Sequence, residues 1–155
     1  MDENNERELV YMLHAAAMNL GNRANDVLSE LLTELDLTRA LSAAIWQLDP
    51  DQQWPSMRKL AQRLSCDPST VTFLVDRLTE RGLAQRTGDA VDRRVKVVSL
   101  TAKGGAVRAR MAERAIEESL FKNLSAPEMR QLLHLIRSAI GEIDYSVAEV
   151  TKFDR

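Results

Sequence analysis

With 155 residues the chain can bury a real hydrophobic core as one domain, and its low aromatic content (5 %), 6 glycines and 4 prolines favour a mostly helical protein. No apolar run approaches the ~20 residues that span a bilayer and residues 1–8 are acidic and polar, so a cytoplasmic, membrane-free protein is expected; Cys66 alone excludes an internal disulfide, and with only His14 and His134 beside it makes a poor structural zinc site. The net charge of −2 is unevenly spread, since residues 55–96 carry nine basic against five acidic side chains, a net of +4 that leaves −6 for the rest and suits a polyanion-binding centre between acidic flanks.

In chain order, Leu9, Met12, Leu13, Ala16 and Leu20 fall at helical spacing on one stripe. Val27, Leu28, Leu31, Leu32 and Leu35 extend it past Gly21, as one long helix or as a helix with a kink. Thr38 is a good N-cap for a second helix that presents Leu41, Ala44, Ile45 and Leu48, with Asp49-Pro50 as its end. Pro55-Ser56 opens a short helix that turns Met57, Leu60, Ala61 and Leu64 inward and stops at Ser65-Cys66. Asp67-Pro68 restarts the chain, with Asp67 placed to accept from backbone amides and Pro68 at the first helical position. The new helix buries Val71, Leu74, Val75 and Leu78 and stops at Gly82.

Two helices joined by a tight turn are a weak signal alone, but the outer face of the second one carries Ser69, Thr70, Thr72, Phe73 and Arg77. Small hydroxyls allow close approach and both donate and accept, threonine methyls can meet thymine methyls, and Arg77 can reach a phosphate or a guanine. A β-hairpin is expected next: Leu83 to Thr87, a polar loop from Gly88 to Arg93, and the β-branched arm Arg94 to Leu100. Such a hairpin after a recognition helix is a wing, and arginines at its tip, Arg93 and Arg94, can enter the narrow minor groove of A·T tracts. Beyond Thr101, a plausible cap, a charged helix runs toward Lys122. Ser125 to Glu128 then forms a capping box for a last helix aligning Met129, Leu132, Leu133, Ile136, Ile140, Ile143 and Val147. That stripe exceeds what a lone terminal helix usually exposes, so with the first helix it is the candidate dimer interface.

The ordered series Leu37-Thr38, Leu60-Ala61 through Ser69-Thr70-Val71-Thr72, Leu74-Val75-Asp76-Arg77-Leu78, Arg81-Gly82-Leu83, Asp92-Arg93-Arg94 and Leu100-Thr101-Ala102-Lys103-Gly104 resembles the MarR (multiple antibiotic resistance regulator) family. The resemblance implies a mainly α fold with a small β-hairpin wing, a single domain over 1–155. Residues 37–100 would form the winged helix-turn-helix, and 5–35 and 101–150 the dimerisation helices. It implies a homodimer on a pseudo-palindromic double-stranded operator, commonly a repressor released by a small aromatic effector. By position, Ser69, Thr70, Thr72 and Arg77 match the family's major-groove and phosphate contacts, Arg94 its minor-groove arginine, and Asp92 the acidic residue that orients it. Phe73 departs from the small or polar residue expected there. It is read either as half-buried against the wing or as touching a thymine methyl, and is not counted as a base reader.

An enzyme fares badly, with no glycine-rich phosphate loop, no nucleophile elbow and no grouping of His with carboxylates, and no cofactor is implied. A winged helix that binds protein rather than DNA is the stronger rival, disfavoured by the hydroxyl and arginine face. Trp46 and Trp54 lie near the expected effector junction, yet core packing for Trp46 and a surface brace for Trp54 are the simpler roles. Cys66 is read as a small buried turn residue rather than a redox switch.

Overall fold

The computed structural model describes residues 3–50, 52–88 and 94–141. Its elements run α1 (Glu3–Val27), α2 (Ser29–Glu34), α3 (Arg39–Trp46), α4 (Met57–Leu64), α5 (Pro68–Glu80), β1 (Ala84–Gly88), β2 (Lys96–Leu100), α6 (Ala102–Glu117) and α7 (Ala126–Ile140). The first helical stretch is therefore kinked. The break falls at Leu28, where the Ser29 hydroxyl donates to the Asp26 carbonyl at 2.8 Å.

The core lies in the middle of the chain, where Leu31, Leu41, Ile45, Leu60, Val71, Val75, Leu78 and Val98 are buried together with Met111 from α6. α5 is its hub and packs against α3, α4 and β1. Thr38 caps α3 by accepting from the Leu41 amide at 3.2 Å, and Ser56 caps α4 by accepting from Lys59 at 3.2 Å. α3 ends at Trp46, two residues short of the expected Leu48, because the chain tightens into a 3₁₀ turn (Leu48 amide to Ile45 carbonyl, 3.1 Å). Leu48 is buried all the same, and the freed Gln47 carbonyl accepts from Arg63 at 3.1 Å.

At the end of α4, Ser65 takes a left-handed conformation (φ 49°) and swings the chain into α5. Gly82 does the same after α5 (φ 67°). There the Gly82 amide donates to Thr79 and the Leu83 amide to Leu78, at 2.9 and 2.8 Å, which satisfies the last carbonyls of the helix.

β1 and β2 pair antiparallel from Ala84↔Leu100 to Gly88↔Lys96. Gly88 thus belongs to the first arm rather than to the loop, while Arg94 and Val95 lie in the connection rather than in the second arm. The backbone ladder decides this: the register closes on the Gly88 and Lys96 pair, and the stretch 89–95 between them is too long for a tight hairpin turn. A single bridge from Ser56 to Val97, with the Val98 amide donating to Pro55, ties the entrance of α4 to the hairpin.

α6 starts at Thr101, whose hydroxyl accepts from the Gly104 amide at 3.1 Å. It ends at Glu117, before the expected Lys122, since the Ser119 hydroxyl captures the Phe121 amide at 3.1 Å and closes a local turn. α7 opens with the expected capping box. The Ser125 hydroxyl and amide donate to the Glu128 carboxylate at 2.6 and 2.8 Å, and these bonds hold it below the usual carboxylate range. α7 stops at Ile140 before Gly141 (φ 72°) and buries none of its residues; Ile143 and Val147 lie outside the described residues.

Candidate nucleic-acid interface

The helix that would enter DNA is held from behind. Val71, Leu74, Val75 and Leu78 anchor α5 in the core, which leaves Ser69, Thr70, Thr72, Phe73 and Arg77 exposed on its opposite side. The structure thus brings the expected face together on one helix, fixed by apolar packing that costs none of its polar groups.

Each polar group has a defined setting. The Thr72 hydroxyl donates to the Pro68 carbonyl at 2.9 Å, which spends its hydrogen on the helix and leaves its lone pairs for a donor outside. Arg77 pairs with Glu80 at 3.0 Å and lies over the Phe73 ring, 5.3 Å from its centre. That ion pair is exposed on both sides, so exchanging Glu80 for a phosphate costs little. Asp67, expected to cap α5 through its carboxylate, makes no side-chain capping bond. Pro68 fills the first helical position without an amide hydrogen to leave unpaired, and the Asp67 carbonyl accepts the first intrahelical bond from Val71 at 3.1 Å.

Arg94 is exposed in the bend before β2. Asp92 and Arg93 lie outside the described residues. Reading the chain in order missed a second ion pair, Arg86 of β1 with Asp76 of α5 at 2.7 Å. It ties the hairpin to the side of the recognition helix. Its only trace in the sequence is two opposite charges ten positions apart across the Gly82 turn, and no periodicity singles such a pair out.

A shallow, open groove of about 850 Å³ runs between α4 and α5 past Met57, Gln62, Cys66 and Thr72. Cys66 is half-buried there against the core, less enclosed than the buried turn residue expected, because it lines the open groove between α4 and α5. Neither tryptophan lines this groove. Trp46 packs against the core with the Arg108 guanidinium 5.6 Å from its ring centre, and Arg108 in turn pairs with Asp49 at 3.0 Å. Trp54 is exposed. Among the described residues no group of three His, Cys, Asp or Glu side chains is placed to hold a metal ion, and no described helix is long and apolar enough to cross a membrane.

Comparison with known proteins agrees with this geometry. The MarR family model matches residues 45–96, the stretch from the end of α3 to the start of β2. The transcriptional regulator SarZ of Staphylococcus aureus (strain USA300) is 28 % identical over 116 residues, which is 74 % of this chain and 78 % of that protein. Among solved structures, CouR from Rhodococcus jostii RHA1 bound to p-coumaroyl-CoA superposes with a TM-score of 0.71 at 24 % identity, covering 82 % of this chain and 90 % of that one. A mutant MarR from E. coli complexed with operator DNA superposes with a TM-score of 0.65 at 25 % identity, covering 91 % of this chain and 100 % of that one.

Proposed function

We propose that the chain is a MarR-family DNA-binding transcriptional regulator, supported by the family model, the SarZ relative and the operator-bound MarR structure, and that it is a homodimeric repressor of a pseudo-palindromic operator, released by a small aromatic molecule. Ser69, Thr70, Thr72 and Arg77 contact bases and phosphates in the major groove. Arg93 and Arg94 reach the minor groove, with Asp92 orienting Arg94. The observation that carries this reading is the exposed hydroxyl and arginine face of α5, backed by four buried apolar residues. Dimerisation is supported by the two apolar faces left open on α1 (Leu9, Met12, Leu13) and α7 (Met129, Leu133, Ile136).

Selection of bound sequences from random duplexes at stated salt, with wild type and Arg94→Ala side by side, tests the reading. Wild type should enrich a palindrome, and Arg94→Ala should bind it about 1 to 3 kcal/mol more weakly with the dimer intact. No enrichment even at low salt would favour a protein-binding winged helix instead.

Release requires a ligand that binds the DNA-incompetent dimer more tightly than the competent one. The p-coumaroyl-CoA of the Rhodococcus structure makes aromatic acyl compounds the first class to screen. Trp46, partly buried beneath Arg108, offers a fluorescence readout.

A further inference from the structure

Among the described residues, Phe73 is the only exposed large hydrophobic side chain on α4 or α5, and it stands in the middle of the polar face of α5. At about 100° per residue, Ser69 and Phe73 follow one another along the line of α5 farthest from the core, with Thr70 and Arg77 on one flank and Thr72 on the other. Phe73 is the sixth of the helix's thirteen residues, within the half of a recognition helix that reaches base edges. It is 56 % exposed, and the Arg77 guanidinium lies one turn further on, 5.3 Å from its ring centre. A single ring among hydroxyls and charges is too small a patch for protein docking. It cannot hydrogen-bond to a base or a phosphate either. In the major groove the apolar group it can meet is the thymine 5-methyl.

We propose that Phe73 is a specificity-determining residue that reads a thymine 5-methyl group in each half-site, while its ring steadies Arg77 for the adjoining phosphate or guanine. The inference rests on the proposed DNA-binding function. It assigns to the helix an apolar contact in addition to its polar ones, and it makes the preferred half-site carry a thymine opposite the centre of α5.

Duplexes enriched by the wild-type protein are resynthesised with deoxyuridine replacing one thymidine at a time, which removes only the methyl group. At one position per half-site wild type should lose about fourfold in affinity, the worth of one buried methyl. Phe73→Ala should be indifferent to the replacement at that same position, and Phe73→Leu should keep part of the sensitivity. An exposed helical site tolerates alanine, the better helix former, so unchanged thermal melting will show that the variant is folded. Equal sensitivity of wild type and Phe73→Ala at every position, or no sensitivity anywhere in wild type, overturns the proposal while leaving DNA binding standing. A wild-type protein that enriches no duplex removes the DNA-binding reading and this inference with it.

Discussion

Gly104 occupies a place that no larger residue fits: a Cβ there would lie 1.9 Å from the Leu83 carbonyl oxygen. The neighbours explain why the backbones come so close. The Thr101 amide donates to the Leu83 carbonyl at 3.0 Å, its hydroxyl to Gly82 at 2.6 Å, and the Lys103 ammonium to Arg81 at 3.0 Å. The Thr101-Ala102-Lys103-Gly104 stretch is thus a clasp that fastens the start of α6 onto the exit of the recognition helix. Gly104→Ala should lower the unfolding free energy by about 1 to 3 kcal/mol, the range for overpacking. Urea denaturation measures it, and an unchanged midpoint would mean that the clasp can open without cost. In the sequence Thr101 was legible as a helix cap, while Lys103 and Gly104 served only as part of a family signature. The reason for the glycine is a contact with a residue 21 positions earlier, which neither local propensity nor periodicity encodes.

Between elements, the hairpin's aim depends on what it is tied to. β2 is fastened to Pro55 and Ser56 through the backbone, and β1 is fastened to α5 through Arg86 and Asp76. Both side chains of that pair are partly open to water, so it adds at most about 1 kcal/mol to stability. Its expected value is in placing Arg94 relative to α5. Arg86→Ala and Asp76→Asn should each weaken operator binding while leaving the melting temperature nearly unchanged. The double variant should be no worse than either single one, a coupling of about 0.5 to 1 kcal/mol in a double-mutant cycle. Additive losses would mean that each residue acts alone. At this scale the sequence was most informative where the signal was local. The caps at Thr38, Ser56, Thr101 and Ser125 and the Gly82 stop all stand where the residues suggested. The ends of α3 and α6 and the limits of the hairpin differed, because hydrogen bonds to particular carbonyls and hydroxyls set them.

For the molecule as a whole, the distribution of burial is uneven. The middle of the chain encloses a core, whereas α7 buries no residue and α1 leaves Leu9, Met12 and Leu13 open. At the base of α7, Phe121, Met129, Leu132, Leu133 and Ile136 surround an apolar cleft of about 200 Å³. Contact between two copies would remove this surface from water. Ile136→Asp would place an unpaired charge in that contact and should raise the dimer dissociation constant a hundredfold or more. Sedimentation should then show a monomer with its helix content retained and its operator binding lost. A variant that stays dimeric would move the interface elsewhere.

The sequence by itself determined where helices form, which of their faces are apolar, and that one basic segment carries a hydroxyl-rich outer face, though not that the first stretch divides into α1 and α2. Those features repeat at short, regular spacing, and each is enforced by the local geometry of a helix or a cap. The tertiary structure alone decided that α6 is clasped to the end of α5 by Thr101, Lys103 and Gly104. It also decided that Arg81 reaches Asp36 to bind the turn before α3, that Arg86 holds the wing to Asp76, and that Phe73 stands exposed beneath Arg77. Each of these joins groups whose meeting depends on how the chain closes on itself or on which way a side chain turns, and sequence spacing carries neither.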